Sequence, residues 1–227
     1  MTDLGRKLDD VGTLSALGEL AERYQDARGM LQLGKAAVAR GLPIEYYAFP
    51  TVGVPRYSAI GPGIDTAMLF AIIRQESAFD PNDYSAAHAM GLMQVTPSAG
   101  RDTCKRFKCT YDVKRLKSDM PYNLQLGAAE LGSDVQDYRG NYILAFAAYN
   151  AGRGRVMEWI DRFGDPRDPN VDPIDWVERI PIMETRNYVQ RVMENLQVYR
   201  ARFLQNAPLT IDTDVRGQMR KSENARR

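Results

Sequence analysis

The sequence predicts a mainly α-helical fold, and three observations carry that reading. Apolar residues recur at spacings of three and four over most of the chain. No stretch alternates apolar and polar residues as a half-buried strand would. Asp or Thr stands where a helix N-cap belongs ahead of several of the apolar runs. With 44% hydrophobic and 26% charged residues in 227, the chain has enough apolar surface for one large domain, or for one domain and an appendage.

The elements follow in order. Leu14, Leu17, Leu20 and Tyr24 keep helix spacing, and so do Met30, Leu33 and Ala37. Asp26 is placed to cap the second of these helices and Gly41 to end it, so residues 1–41 read as a helical hairpin with one apolar side. The next stretch holds Pro43, Pro50, Pro55 and Pro62 with Gly41, Gly53, Gly61 and Gly63, a density that excludes a helix, and 42–63 reads as a linker. The main domain, 64–206, opens at Asp65 as an N-cap. Leu69, Ile72, Ile73 and Glu76 then share one helix face. Thr96-Pro97 reads as an N-cap followed by a first-turn proline. Helices are expected over 121–137 and 141–150, the second almost wholly apolar and therefore central. Gly152 and Gly154 interrupt, a helix runs through Trp159, and Asp172-Pro173 starts a short one around Trp176. The last long helix carries Tyr188, Val192, Leu196, Tyr199 and Phe203 on one stripe, and 207–227 reads as a polar, frayed tail.

Composition excludes several classes of function. Lys and Arg total 30 against 29 Asp and Glu, a net charge of +1, which makes no electrostatic case for a nucleic-acid partner. No apolar run approaches the roughly 20 residues that cross a membrane. The opening "MTDLGRKLDD" has no apolar core of a secretory signal, which is expected of a cytoplasmic protein or of a piece of a longer precursor. Cys104 and Cys109 are too few to build a metal site, and the single histidine, His88, lies well upstream, so neither a metal nor a cofactor is expected. The two cysteines read either as reduced surface thiols or as a local disulfide, the latter pointing to an oxidising compartment.

The stretch that draws attention is "FAIIRQESAFDP". Glu76 ends an apolar helix on the face it shares with Ile72 and Ile73. Burial disfavours its charged form, and the helix C-terminus is a negative pole that disfavours a carboxylate by roughly 0.3–1 kcal/mol. Both effects favour a carboxyl that stays protonated near neutral pH, which a general acid requires. The bland reading is a structural Glu that pairs with an arginine such as Arg74. Asp80 and Asp83, in "AFDPNDYS", sit in turn sequence where Asp commonly bonds its own backbone. Three further segments stand out from ordinary core: "MGLMQVTP" before a helix start, "AAYNAGRGRV" at the end of a buried helix, and "IPIMETRNYV", which sets Glu184 and Tyr188 four apart on one face. Singly each has a structural reading, Tyr149 as core, Gln94 as a cap and Glu184 as a partner of Arg186 or Arg191.

Together, "ESAFDPNDYSAAHAMGLMQVTP", "AAYNAGRGRV" and "IPIMETRNYVQRV" resemble, in that order, the signature segments of the soluble lytic transglycosylases, family 23 glycoside hydrolases with a goose-lysozyme-like fold. The resemblance covers about residues 64 to 204. It implies a lysozyme-like helical catalytic domain, and residues 1–41 look like the end of the superhelical region that precedes it in larger periplasmic members. It implies cleavage of the β-1,4 bond between N-acetylmuramic acid and N-acetylglucosamine in peptidoglycan, leaving a 1,6-anhydromuramoyl end. By this resemblance Glu76 falls on the catalytic glutamate, and Ser85, Met93, Gln94, Tyr149, Asn150, Glu184 and Tyr188 on positions that line the glycan groove. Arg186 is expected to brace the motif. Peptidoglycan strands are the implied partner, the periplasm the implied location and a monomer the expected state. One departure is His88, where the family usually carries Gly; a positive φ there would strain it. The other is Thr96, where an apolar residue is common. The competing readings are a hydrolytic muramidase with the same site and a non-catalytic glycan-binding module.

Overall fold

The computed structural model describes residues 1–204 and 208–217. Twelve α-helices account for the regular structure among them: α1 Thr2–Lys7, α2 Val11–Arg23, α3 Ala27–Val38, α4 Thr66–Glu76, α5 Pro97–Phe107, α6 Val113–Ser118, α7 Met120–Asp137, α8 Tyr142–Ala151, α9 Arg153–Phe163, α10 Pro173–Glu178, α11 Met183–Phe203 and α12 Ile211–Arg216. Between the described residues no strand forms, only isolated bridges at Tyr84, Met90 and Val95. No described helix is long and apolar enough to cross a membrane.

The expected caps form. Asp26 accepts from the Gly29 N–H at 2.8 Å, Asp65 from Met68 at 2.6 Å and Thr96 from Ala99 at 3.2 Å. Each satisfies an orphan donor of a first turn, worth about 1 kcal/mol. The core sits where α4, α7, α8 and α11 meet. In α4 every residue from Ala67 to Ile73 is buried, and in α8 every residue from Ile143 to Ala148, as expected of helices that are apolar all round.

The hairpin has its own small core of Leu14, Met30 and Leu33, closed by Tyr47 of the following segment, while Ala27 and Leu31 of α3 belong to the main one. Its predicted stripe divides: Leu14 is buried, but Leu20 and Tyr24 are exposed. The segment 42–63 is extended as its prolines require, apart from a single 3-10 turn at Glu45–Ala48. It is not slack. Phe49, Val52, Val54, Tyr57 and Ile60 pack against the main core. The Gln125 amide donates to the Ser58 carbonyl at 2.8 Å. Gly132 has no Cβ where one would meet the Pro62 carbonyl oxygen at 2.1 Å, so the strap lies directly on α7. Arg74 ties it to α11, donating to Ala48 O at 3.1 Å and to Asn195 Oδ1 at 2.7 Å over the Phe49 ring.

Two features depart from expectation. Residues 1–41 hold a third helix besides the predicted pair, α1, with Gly5 pressed against the Leu33 carbonyl of α3. Within the predicted frayed tail, α12 docks on α8. Asn141 donates to the Val215 carbonyl at 2.6 Å, and Arg200 of α11 bonds Asp214, which is only 5% exposed. These anchors lie far away in sequence, so the polar composition of the tail concealed them. The remainder of the tail, 218–227, and residues 205–207 lie outside the described residues.

Candidate active site

Glu76 is the last residue of α4, and Ser77 closes the helix, its N–H bonding Ile73 O at 3.1 Å. The Ser77 hydroxyl reaches Ile73 O at 3.2 Å and Leu92 O at 2.9 Å, joining the helix end to the loop that follows. Ala78 and Phe79 then take φ values of 51° and 63°, a left-handed pair that costs non-glycine residues roughly 1–2 kcal/mol each. Burial of Phe79 against Phe70 offsets part of this. The turn delivers Asp80 to Arg28 of α3 at 2.6 Å.

The loop 83–95 forms one wall. Its hydrogen bonds run from Ser85 N to Ala89 O at 3.0 Å, from Gly91 N to Asp83 O at 2.9 Å, and between Met90 and Val95 in both directions. Gln94, at φ 47°, folds its amide back to Asp83 O and Gly91 O. Asn123, buried on α7, clamps the loop from behind, donating to Met90 O at 2.7 Å and accepting from Met93 N at 3.0 Å. Gly91 is required here, because φ is +72° and a Cβ would stand 2.7 Å from the Asn123 amide nitrogen. The opposite wall is the end of α8 and the start of α11. Thr185 donates to Asn150 Oδ1 at 2.7 Å, and the Tyr188 hydroxyl to Glu76 Oε1 at 2.6 Å.

Glu76, Ser85, Gln94, Tyr149, Asn150, Glu184 and Tyr188 thus line one cleft of about 510 Å³, with Asp83 and Asn187. Met93 does not. It is fully buried, its side chain beneath Tyr149 and against Gly127 of α7, and its carbonyl accepts from the Tyr149 hydroxyl at 2.8 Å. A motif gives the order of residues but not the side of the backbone each faces. The same bond fixes what Tyr149 can do: its single proton is committed to Met93, so towards a ligand its oxygen is an acceptor.

The Glu76 side chain is half-buried in this cleft, which Tyr149 and Tyr188 also line. Burial pushes its pKa up to about 7; the Tyr188 bond opposes this, and the charges of Glu130, Glu184 and Asp83 add to it. Tyr188 is the sole hydrogen-bond partner of the Glu76 carboxyl among the described residues, which leaves Oε2 for a ligand. Arg74, the structural alternative, is instead engaged with Ala48 and Asn195. Asp83 accepts its neighbour's N–H in a turn, and Asp80 does the same for Asn82 while pairing with Arg28. Arg186 braces the start of α11 through Glu178 O at 2.8 Å. His88 adopts φ 62°, bonds the Tyr84 hydroxyl and is absent from the cleft lining. Cys104 and Cys109 are joined as a disulfide across the end of α5.

Asn123, Gly127 and Glu130 were not singled out by the sequence, although an acid inside "LGAAELG" carries the same signal that Glu76 does, a lone carboxylate among small and apolar residues.

Residues 55–171, just over half the chain, match the family described as Transglycosylase SLT domain. The chain belongs to that family. Among curated members it is 36% identical over 146 residues to the soluble lytic murein transglycosylase of Escherichia coli K12, covering 64% of this chain and 22% of that one. It is 33% identical over 118 residues to the membrane-bound lytic murein transglycosylase D of the same organism, covering 52% and 25%. The chain therefore spans about a fifth to a quarter of the length of these relatives. Among solved structures, the 70-kDa soluble lytic transglycosylase of E. coli superposes with a TM-score of 0.73 at 30% identity, over 87% of this chain and 32% of that one. Its complex with bulgecin A superposes at 0.72 and 29%, over 91% and 33%. The helical, lysozyme-like fold expected from the sequence is the fold of this SLT domain.

Proposed function

We propose that this chain is a peptidoglycan lytic transglycosylase, cleaving the β-1,4 bond between N-acetylmuramic acid and N-acetylglucosamine with Glu76 as the single acid and base. The observation that carries this reading is a cleft-floor carboxyl with a pKa near 7, one oxygen held by Tyr188 and the other free. At neutral pH such a group is poised both to give a proton and to take one back. Residues 64–206 carry this site, with 1–41 seated against them.

Glu76 first donates its proton to the glycosidic oxygen as the bond to the muramoyl C1 breaks. The muramoyl N-acetyl group supports the charge on C1, with Tyr149 accepting from its N–H. The Glu76 carboxylate, steadied by Tyr188, then takes the proton of the sugar's own C6 hydroxyl, whose oxygen closes on C1. The result is a 1,6-anhydro end and a restored acid, with no water consumed. A nucleophile built into the substrate has a large effective concentration, so no second carboxylate at the roughly 5–9.5 Å of ordinary glycosidases is required. Ser85, Gln94, Asn150 and Glu184 offer the polar lining for a glycan.

The competing outcome is hydrolysis, which Asp83 and Glu184 favour by lining the same cleft. Mass spectrometry of digested sacculi decides, because an anhydro end is one water lighter than a reducing end. A majority of reducing ends would replace this reading with a muramidase, and glycan binding without any product would replace it with a binding module. The paired cysteines suit an oxidising compartment and support a periplasmic site of action.

A further inference from the structure

The near-zero net charge of the chain conceals an uneven distribution. Residues 104–119, "CKRFKCTYDVKRLKSD", hold six lysines and arginines against two aspartates, so the remainder of the chain is slightly acidic. All six cations are exposed. Both aspartates are engaged. Asp112 caps α6 through the Lys114 and Arg115 N–H groups, and Asp119 caps α7 and pairs with Arg115 at 2.8 Å. Arg106 reaches only Asp137, at 4.0 Å. The side chains of Lys105, Lys108, Lys114 and Lys117 make no ion pair and no hydrogen bond among the described residues.

The fold holds this segment firmly. The Cys104–Cys109 disulfide closes the loop that carries Lys105 and Lys108. Cys104 is buried, its Sγ 3.7 Å from the Tyr122 hydroxyl of α7. That hydroxyl donates to Thr110 O at 2.9 Å and accepts from Asp112 N at 3.0 Å, and Leu116 anchors α6 in the core. The patch borders the cleft. Lys117 Nζ lies 5.9 Å from the centroid of the Tyr84 ring, and Asp83 and Ser85, on either side of Tyr84, line the cleft. Between the loop and α6 is a hollow of about 150 Å³, lined by Asn82, Gly91, Lys117, Ser118, Met120 and Asn123.

Lysines left without carboxylate partners on one short segment favour an anionic partner. We propose that this patch holds the carboxylates of the peptides of peptidoglycan, on strands beside the one in the cleft. Those peptides are short and carry free carboxylates, which suits exposed cations flanked by the exposed side chains of Tyr84, Val113 and Met120. An anionic membrane surface fits less well, because α6 has six residues and turns its leucine inward, leaving no broad apolar face to enter a bilayer. The inference rests on peptidoglycan being the substrate and gives the chain a second contact with it, outside the cleft.

The test is cosedimentation of the full chain with purified sacculi. Three proteins all carry Glu76→Gln, so that strands stay uncut: that parent, a variant with Lys105→Gln, Lys108→Gln, Lys114→Gln and Lys117→Gln, and a variant with the same four lysines changed to arginine. The glutamine variant should bind intact sacculi at least about tenfold more weakly, and the arginine variant like the parent. Parent binding should fall towards that of the glutamine variant between about 0.05 and 0.5 M salt, as screening shortens the reach of the charges. Sacculi stripped of their peptides by an amidase should bind all three alike. Equal binding of intact sacculi by parent and glutamine variant would overturn the proposal, and so would a loss shared by the arginine variant or an equal deficit on stripped strands. Stronger pelleting of the parent with phosphatidylglycerol vesicles than with intact sacculi would assign the patch to a membrane instead. The two readings fail separately. A wild type that digests no sacculi refutes the peptidoglycan reading, whereas one that digests them, beside a glutamine variant that binds them undiminished, refutes the present inference alone.

Discussion

Two glutamates face the same cleft from opposite ends of helices. Glu76 is the last residue of α4, where the helix pole is negative, and its carboxyl is walled in by Tyr149 and Tyr188. Glu184 lies in the first turn of α11, where the pole is positive, and is exposed. At Glu76 the helix pole and the burial both favour the acid form. The helix end and the depth, more than the residue type, divide the labour.

Experiments on this pair range from drastic to slight. Glu76→Gln removes the proton donor while keeping the shape, and sacculus turnover is expected to fall at least about a thousandfold with the thermal transition intact. Near-wild-type product release from that variant would end the comparison. Gly127→Ala comes next. Its Cβ would stand 2.7 Å from Met93 Cβ and Sδ and 3.1 Å from the Tyr149 hydroxyl, displacing the wall opposite the acid. A drop of roughly a hundredfold in kcat/KM is expected, and steady-state kinetics on a soluble glycan would detect it. Tyr188→Phe deletes the one hydrogen bond that favours the Glu76 anion. The alkaline limb of its pH profile should move to higher pH, with a loss of about tenfold. Glu184→Gln should be mildest, raising KM by a few fold and moving the limb slightly towards acid, since its charge is one of those that raise Glu76. If Glu184→Gln proved as damaging as Glu76→Gln, the two helix ends would share the chemistry and a two-carboxylate mechanism would return.

The contrast also has a thermodynamic face. Glu76 and Glu130 titrate near 7 in the fold and Asp134 near 6, against roughly 4 for such groups in an unfolded chain. Acids raised in the fold favour it when protonated, so their stabilisation is full below about pH 4 and is lost as pH rises through 6 to 7. Denaturant titrations of wild type should show stability falling across that window, and Glu76→Gln should flatten part of the fall.

What the sequence made legible was local. The caps at Asp26, Asp65 and Thr96 act three residues away, and the apolar runs of α4 and α8 declare their burial by period and length. Glu76 was visible because an acid on an apolar face contradicts its neighbours. What stayed hidden depends on partners distant in the chain. Met93 reads as a groove residue until Asn123 and Tyr149, 30 and 56 residues on, are seen to hold its backbone. The docking of α12 likewise has meaning only beside Asn141 and Arg200. His88 lies between these cases: the motif marked it as a departure that a positive φ would strain, but neither the φ of 62° nor the bond to Tyr84 follows from the motif.

The strap over 42–63 bears on how the molecule comes apart. Phe49 to Ile60 cover the main core, Arg74 reaches Ala48, Arg28 holds Asp80, and α3 lends Ala27 and Leu31 to the same apolar cluster. Peeling away the first forty residues would bare that cluster and release the turn that follows Glu76. Heating should therefore give one calorimetric peak for hairpin and catalytic body together, and a protease should find no slack between them to cut first.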